Sequence, residues 1–521
     1  MSTFPGLNED CAALILDCLD TPSLLSISAT SRAALLPARV RLVRDVRLLS
    51  DERALSFLHF VLAHALEPAV RSLYFSIWAF DMAAWAPLLA HVLPRADTLR
   101  RLEVVLGVRE PRFFALLRGL SPALTHLHIY DLTARSSEAL RGIRGLRLLS
   151  LSVEHESHEA MQTTMGVIKA VIADNADTLE DVAVAGPYMR GTAPLEVRFV
   201  PAERKCPRVT RLAIQRLGFD LAAVAHTFPN VERLERDCEA ALPDDAESGT
   251  VWPKLGTLVA PARVVLPMVA QGNYKMLRCL VIPPSSSAPL RVEDTLNAIR
   301  NLRIEELSLS IPSVNLGDPS PDSDGSVLFL AQILGSAPHL RKLDLNIHDN
   351  SRETRKVDLA TLIPNPHRLT KAHTRVLSQL TYVSLAWPSI NTTLTDKSLQ
   401  SFARPWFTLC PRLAGMHLYP SMLEFRWTRR WLYVADCSDS DSDSGVDLGD
   451  GDSYPRPRSI VTAHYRCNPK SKQASFDNER TAFAPNDHER GSTAWSAAVC
   501  KSYSSPGVEL REGVKLTEFP I

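Results

Sequence analysis

Residues 96–106 read ADTLRRLEVVL, and residues 176–184 read ADTLEDVAV. Both stretches have the spacing apolar-x-x-apolar-x-apolar, formed in the first by Leu99, Leu102 and Val104. The shared start Ala-Asp-Thr-Leu aligns the two copies in one frame. Because successive residues of a β-strand point to opposite faces, the last two apolar positions predict a strand with one buried face.

The same spacing recurs along most of the chain and gives thirteen candidate strands. Two copies are degraded, because Arg236 or Ala260 occupies the third apolar position. Proline lies two positions before the first apolar residue in six copies, which favours the end of a helix and the start of a strand. The copies begin at Val70, Leu99, Leu124, Leu146, Leu179, Val209, Val231, Leu255, Leu277, Ile304, Leu340, Leu380 and Leu413.

Helical patterns lie between these strands, for example at Ile168 with Val171 and Ile172, so the predicted fold class is α/β. Spacings between successive copies include 22 and 25 residues, while later ones reach 36 and 40 and imply insertions; a segment at 315–326 rich in Asp, Ser, Pro and Gly predicts one such loop. Over about residues 68–430 the array resembles the leucine-rich repeat family. The resemblance implies a solenoid, and Gly107 and Leu132, where that family has Asn or Cys, predict an irregular one.

Residues 7–48 differ from the array and predict short helices, with Pro22 between the first two and Asp20 or Thr21, then Thr30 or Ser31, as helix caps. The stretch Leu7-Asn-Glu-Asp10, the Leu24-Leu25 pair and Ser28-Ala-Thr-Ser-Arg32 resemble the F-box. That resemblance implies docking on the Skp-type adaptor of a cullin-RING ubiquitin ligase. By this resemblance, six residues are expected either to dock on the adaptor or to form the core of the module, and the sequence does not separate these two roles. The six residues are Leu7, Ile15, Leu16, Leu19, Leu24 and Leu25.

The expected domains are therefore a helical module at 1–48, a repeat array at 49–436 and a tail at 437–521. Trp427 and Trp431 are expected to cap the last repeat. The tail begins with an acidic Ser/Asp linker and is expected to be of low order, because it has few apolar runs. Its acidic context would suit an acidophilic kinase at Ser438, Ser440, Ser442 and Ser444.

Composition limits the function classes. The chain has 521 residues, of which 45% are hydrophobic, so most of it can bury a core. Lys plus Arg and Asp plus Glu both number 58, which argues against nonspecific binding to nucleic acid or to an anionic membrane. Nine scattered cysteines and a polar N-terminus predict a reduced, intracellular protein, with cytoplasm and nucleus both open.

Two acidic clusters invite a metal interpretation. Residues 154–159 combine two histidines with three glutamates, but the histidines are three apart rather than four, so a solvated loop is favoured. Residues 439–445 resemble a calcium loop with its glycine misplaced, and an acidic linker is favoured there. No nucleotide-binding or hydrolase motif is present in the sequence, so we expect no cofactor, no metal and no catalysis.

Strand alternation nominates the residues beside the buried positions as a concave, substrate-binding face. Mixed charges and aromatic side chains there suit a protein partner. The candidates are Arg101, Glu103, His126, His128, Tyr130, Arg211, Gln215, Arg233, Glu235, Lys342, Asp344, Tyr382, His417 and Tyr419.

The combined pattern predicts the substrate-recognition subunit of a ubiquitin ligase, which acts by positioning a bound protein. A second interpretation keeps the repeats but makes residues 1–48 only a cap over the first of them. The chain would then be an adaptor-independent interaction scaffold.

Overall fold

The computed structural model describes residues 8–77, 82–106, 117, 122–154, 156–187, 198–236, 252–271, 274–283, 296–297, 299–300, 302–312, 325–348, 369–387, 396–420, 423–432, 458–467 and 517–520. The fold is mixed α/β, with a large parallel sheet and helices between its strands. The chain divides into two compact units, Met1–Ile304 and Glu305–Ile521. No helix in the described ranges is long and apolar enough to cross a membrane.

The first unit begins with three short helices and continues with alternating strands and helices. In order these are α1 (Glu9–Cys18), α2 (Thr21–Thr30), α3 (Arg32–Arg44), β1 (Asp45–Leu48), α4 (Asp51–Ala63), β2 (Ser72–Ile77), α5 (Met82–Val92), β3 (Arg101–Leu106), β4 (His126–Leu132), α6 (Ala134–Ser137), β5 (Leu148–Val153), α7 (His158–Asp174), β6 (Asp181–Ala185), β7 (Arg198–Phe199), β8 (Arg211–Gln215), β9 (Gly218–Phe219), α8 (Leu221–Thr227), β10 (Arg233–Arg236), β11 (Thr257–Val259), α9 (Ala262–Gln271) and β12 (Cys279–Ile282).

Polar side chains define where the first three helices begin. The side chain of Asn8 accepts hydrogen bonds from the backbone amides of Asp10 and Cys11, at 2.6 and 3.1 Å. Asp20 accepts from the amide of Ser23 at 3.0 Å, and Ser31 accepts from that of Ala34 at 3.1 Å. Because each cap satisfies an orphan N–H group, the chain can start three helices within 24 residues. Of the four predicted capping residues, Asp20 and Ser31 perform this role.

The strands of the first unit pair in parallel and in chain order, apart from the separate pair β7–β9. The register matches the sequence pattern, since Leu102 lies opposite Leu73 on one side and Leu127 on the other. The second and third apolar positions form two rows on the inner face, and Leu102, Val104, Leu127 and Ile129 are fully buried. Burial of these rows against the helices forms the core of the unit.

A second ladder runs along the edge of the sheet where its strands begin. The amide of Arg71 donates to the carbonyl of Arg44 at 2.9 Å, and that of Arg100 to Arg71 at 2.8 Å. The same bond continues from Thr125 to Arg100 and onward to Arg278, which bonds to Gly256 at 3.0 Å. These residues, each just before its strand, are called the rim here. Their backbone bonds fix neighbouring strands at a common starting level.

The second unit contains β13 (Glu306–Pro312), α10 (Gly325–Ser336), β14 (Lys342–His348), α11 (Lys371–Leu377), β15 (Tyr382–Trp387), α12 (Asp396–Leu409), β16 (Gly415–Pro420), β17 (Leu423–Leu432), β18 (Arg458–Cys467) and β19 (Thr517–Pro520). Strands β13 to β16 are parallel and in register. From β17 onward the pairing is antiparallel, because only residues 421–422 separate β16 from β17 and a parallel return needs a longer crossover.

All thirteen predicted strands are present, and β1 is a strand that the sequence analysis did not include. Helix α10 begins at Gly325, so the last two residues of the predicted insertion at 315–326 are helical. Its other residues lie outside the described ranges. Trp427 and Trp431 lie on β17, which pairs with the edge strand β16; their side chains lie outside the described part, so the cap stays a prediction. Within the tail at 437–521, two strands are described, β18 and β19.

Candidate functional site

The candidate site of the first unit is the outer face of its sheet, formed by the strand residues that alternate with the buried rows. Seven of the predicted substrate-binding residues lie there partly or fully exposed: Arg101, His126, Tyr130, Arg211, Gln215, Arg233 and Glu235. Two others, Glu103 and His128, are on this face but only 8% and 6% exposed. Alternation along the strands predicts that these residues lie on the face opposite the buried rows, but it does not predict that Glu103 and His128 are buried.

Glu103 and His128 form the centre of a polar cluster on β3 and β4, where they lie directly opposite each other. Arg101 donates from Nη2 to Glu103 Oε2 at 3.2 Å, and His128 Nδ1 is 3.8 Å from Glu103 Oε1. The ring of Tyr130 lies beside that of His128, with 4.2 Å between centroids. Asp131 follows with φ of 56° at a register shift between β4 and β5. Such irregularities bend a strand locally and re-aim its side chains.

Burial determines the protonation of this cluster. It lowers the pKa of His128 to about 3, helped by the positive charge of Arg101, so the imidazole is neutral at pH 7. The contact between His128 and Glu103 is therefore not an ion pair. Burial also raises the pKa of Glu103, against the opposing effect of Arg101, and it raises the pKa of the Tyr130 phenol. The cluster therefore presents the neutral ring of His128, the phenol of Tyr130 and the guanidinium of Arg101, which is paired with Glu103.

On the neighbouring strands, the guanidinium of Arg47 lies over the ring of Tyr74, 5.7 Å from its centre. Arg47, Tyr74, Glu103 and His128 occupy the same outward position on β1, β2, β3 and β4. Further along, the same position carries Ser150, Ala183 and Ala213 on β5, β6 and β8. Large polar and aromatic groups are therefore concentrated on the first four strands, a clustering that the sequence pattern alone did not reveal.

The outer face of the second unit carries a ladder of polar residues at one register position, formed by Ser308, Asp344, Ser384 and His417. Ser308 donates to Asp344 Oδ2 at 2.9 Å. Burial raises the pKa of Asp344, while its hydrogen bonds from Ser384 and Ser308 oppose that shift. Among the predicted residues, Lys342 lies 2.8 Å from Glu306, and the Tyr382 ring is 5.2 Å from that of His417. Tyr419 lies in β16, and its side chain is outside the described part.

Ser, His and Asp are the residue types of a hydrolase triad, but their order across these strands is wrong for one. In a triad the histidine lies between the acid and the serine, so that it can take the serine proton. Here Ser384 lies between Asp344 and His417 in the register. Asp344 therefore binds serine hydroxyl groups and does not orient the imidazole.

A pocket of about 390 Å³ lies at the rim of the first unit. Its lining mixes both charges with polar groups and was not anticipated from the sequence. The lining residues are Glu180, Pro207, Arg208, Thr210, Asn230, Glu232 and Lys254.

The acidic cluster at 154–159, for which a solvated loop is expected, contributes to local backbone contacts. Glu156 accepts from the amide of Ala134 at 2.8 Å, and Ser157 caps α7, whose first residues are His158 and Glu159. The segment is thus a loop that ends in a helix start, and His155 lies outside the described ranges. Among described residues, no group of three His, Cys, Asp or Glu could hold a metal ion. Residues 439–445 and the four tail serines are also outside that part.

The six predicted adaptor-binding residues differ in burial. Leu16 and Leu24 are 4% and 6% exposed, and Leu19 is half-buried. Ile15 and Leu25 are 42% and 54% exposed, whereas Leu7 lies outside the described residues. Two further exposed leucines, Leu14 and Leu36, lie on α1 and α3 at 65% and 61% exposure. Helical spacing does not predict this division, because it places apolar residues on both faces of these short helices.

Comparison with protein-family models and with curated proteins gave no match for this chain.

Proposed function

We propose that this chain is an F-box protein with C-terminal leucine-rich repeats, the substrate-recognition subunit of a Skp/cullin/F-box ubiquitin ligase. In this proposal α1 to α3 dock on the Skp-type adaptor. The strands that follow, with their helices, are an irregular leucine-rich repeat solenoid whose outer face binds a protein substrate. The receptor has no catalytic residues and works inside the cell, in the cytoplasm or the nucleus.

The observation that carries the proposal is the exposure of apolar side chains on the N-terminal helices. Seven large hydrophobic side chains are exposed among the described residues, and four of them fall within residues 14–36: Leu14, Ile15, Leu25 and Leu36. Exposed apolar groups concentrated in one small segment are characteristic of a protein-binding surface. A segment that only capped the first repeat would gain nothing from keeping these groups in water.

The regular sheet of each unit supports the second half of the proposal. Apart from the buried Arg236, apolar residues fill both inner rows among the described strands, while charged and aromatic side chains occupy the outer face. An outer face of this composition, with both signs of charge, suits a protein partner better than a nucleic acid, for which a continuous basic stripe is expected. Protein substrates are the ligands that a ubiquitin ligase receptor needs.

The mechanism would be one of proximity. A receptor that holds the substrate and the adaptor on one chain converts an encounter between substrate and ubiquitin-loaded enzyme into an intramolecular event. The chain then requires two binding surfaces and no reactive group. The helices α1 to α3 and the outer sheet face are the two candidates.

Burial assigns separate roles to the residues of the module in this proposal. Ile15 and Leu25, joined by Leu14 and Leu36, are the docking residues because they are exposed. Leu16 and Leu24 hold the three helices together because they are buried. Replacing exposed residues of the first group by glutamate therefore tests binding without removing core contacts.

The test is a titration of recombinant Skp-type adaptor against the full-length chain. The double variant Leu14→Glu, Leu25→Glu is expected to bind at least tenfold more weakly than wild type, since two carboxylates would have to be buried in the interface. Leu49→Glu is the matched control, because Leu49 is 44% exposed just after β1 and outside the module. Circular dichroism and melting temperature verify that all three proteins are folded. Failure of folded wild type to bind the adaptor would refute the proposal.

The capping interpretation has one observation in its favour. Helix α3 packs against β1, with Ala38 and Val43 completely or almost completely buried. A cap has to cover the open end of the sheet in this way. The adaptor titration separates the two functions, because a pure cap would leave wild type and the double variant equally unable to bind.

A further inference from the structure

Three arginines lie in consecutive rows of the rim at the start of the first unit. Arg44, Arg71 and Arg100 are linked through their backbones, with amide-to-carbonyl distances of 2.9 and 2.8 Å. Neighbouring strands are about 4.8 Å apart, so three positive charges follow one another at this spacing. Like charges opposite each other on adjacent strands destabilise a sheet. The fold retains this repulsion at an exposed edge.

The two later arginines are open to a ligand. Arg44 is engaged with Asp17 at 2.8 Å. Arg71 and Arg100 are exposed, and no ion pair is recorded for them with any residue in the described ranges. Their charges are therefore available to an outside group.

The adjoining outer positions add to the positive charge and supply aromatic surface. Arg47 and Arg101 lie on β1 and β3, beside the rings of Tyr74 and His128. Over the rim and outer positions of β1 to β4, including the bulge in β4, five arginines face three carboxylates: Arg44, Arg47, Arg71, Arg100 and Arg101 against Asp45, Glu103 and Asp131.

The equivalent positions further along the same sheet have the opposite sign. From β6 to β10 they carry four carboxylates and two arginines: Glu180, Asp181, Glu232 and Glu235 with Arg211 and Arg233. Both arginines are paired, Arg211 with Asp181 at 3.5 Å and Arg233 with Glu235 at 2.7 Å. Glu180 is paired in turn with Arg147, the rim residue of β5, at 2.7 Å, so from β5 to β10 four carboxylates face three arginines and the excess of positive charge lies on β1 to β4.

We infer that the rim and outer face of β1 to β4 bind an acidic segment of a protein partner, with Arg71 and Arg100 as its principal anchors. Guanidinium groups bind carboxylates through two parallel hydrogen bonds, so two arginines in neighbouring rows can hold carboxylates of one acidic segment. Tyr74 and Tyr130 offer aromatic contact next to these charges. A long nucleic-acid backbone fits less well, because it would meet the four carboxylates on β6 to β10.

This inference deepens the proposed function by giving the chemistry of its substrate, and it rests on that function for the identity of the partner as a substrate. The surface itself can be tested alone. The probe is a fluorescein-labelled decaglutamate peptide, titrated into the full-length chain at 50 mM and 300 mM NaCl. A decalysine peptide and a twelve-nucleotide single-stranded DNA of equal labelling are the comparison probes.

Decaglutamate is expected to bind wild type at 50 mM NaCl more tightly than either comparison probe. The variant Arg71→Glu, Arg100→Glu is expected to weaken that binding at least tenfold. The control variant Arg198→Glu, Arg300→Glu changes the net charge equally at two exposed arginines away from the rim, and its affinity should stay within twofold of wild type. Equal losses in both variants, no loss in the first, or tighter binding of DNA than of peptide would overturn the inference.

Adaptor binding separates this inference from the proposed function. The variant Arg71→Glu, Arg100→Glu is expected to keep wild-type affinity for the Skp-type adaptor, because neither residue lies in α1 to α3. If wild type binds decaglutamate through these arginines but binds no adaptor, the acidic-peptide surface stands and the ligase function fails. If it binds the adaptor but not the peptide, the reverse holds.

Discussion

His128 lies on the outer face of the sheet, and its burial in the folded protein keeps its imidazole neutral at pH 7. Its folded pKa of about 3 lies below the ordinary value of 6.5, so the unfolded chain takes up the proton first as pH falls. The stability that comes from neutral His128 is complete above pH 6.5 and is lost between pH 6.5 and pH 3, by roughly 3–5 kcal/mol in total. Glu103 acts in the opposite sense, because its raised pKa costs stability as pH rises.

We therefore expect the melting temperature of wild type to fall steeply between pH 6.5 and pH 4. A His128→Gln variant should lose less over the same interval, since glutamine does not titrate. The measurement is the difference between the two melting curves at each pH, which cancels the contributions of other groups. An exposed histidine of the same unit provides the control variant, His226→Gln, which should follow wild type. Parallel curves for wild type and His128→Gln would contradict the assignment.

At the scale of single residues, the sequence predicted which face a side chain occupies but not its burial. Alternation along β3 and β4 places Glu103 and His128 outward, as the structure confirms. Their burial depends on Arg47 and Tyr74, which the register brings to one side, and on Tyr130, two residues after His128 on β4. Arg47 and Tyr74 are distant in sequence, and the pattern contains no information on how closely these side chains pack.

Asn175 joins two successive elements of the first unit at the end of α7. It is 2% exposed, and its side chain accepts from the amide of Leu146 at 2.9 Å. It also donates to the carbonyls of Ile143 and Val171, at 2.8 and 2.9 Å. One side-chain amide thus bonds to three backbone groups and links the end of α7 to the segment before β5.

We expect Asn175→Ala to lower the free energy of unfolding by about 2–4 kcal/mol, because buried polar groups would lose their partners without gaining water. Asn230→Ala is the comparison, since Asn230 is half-exposed and makes one bond to the carbonyl of Pro207 at 2.8 Å. That variant should lose less than about 1 kcal/mol. Urea unfolding followed by circular dichroism measures both, and equal losses would show that the bridging role is unimportant.

At the scale of elements, the recurring spacing predicted strands reliably because it records burial on one face. It also contained a strand that was overlooked. Val43, Val46 and Leu48 have the same apolar-x-x-apolar-x-apolar spacing, and Val46 pairs with Leu73 in the common register. The expected domain boundaries assign this segment to the helical module at 1–48 instead. Helix boundaries such as Gly325 were less predictable, since polar loops and helix starts share Asp, Ser and Gly.

At the scale of the whole molecule, the chain combines zero net charge and an isoelectric point near 7.2 with separated charges on its first unit. Proteins near zero net charge repel one another weakly, so complementary patches on two copies can attract. We expect weak self-association at pH 7.2 and 20 mM NaCl that disappears at 300 mM, where charges are screened beyond a few ångströms. Light scattering at both salt concentrations measures it. Association that is unchanged by salt would point to apolar contacts instead.

A parallel sheet can in principle keep growing, since each edge strand offers the next chain a template of unpaired backbone groups. In the second unit that growth is terminated from within. Strand β17 pairs with β16 in the opposite direction, β18 pairs with β17 along all ten residues, and β19, four residues long and ending in Pro520, pairs with residues 460–463 of β18. A short edge that ends in proline is a poor template for addition. The antiparallel strands therefore hinder the pairing of further strands at this edge, which favours a protein of finite size over a fibre.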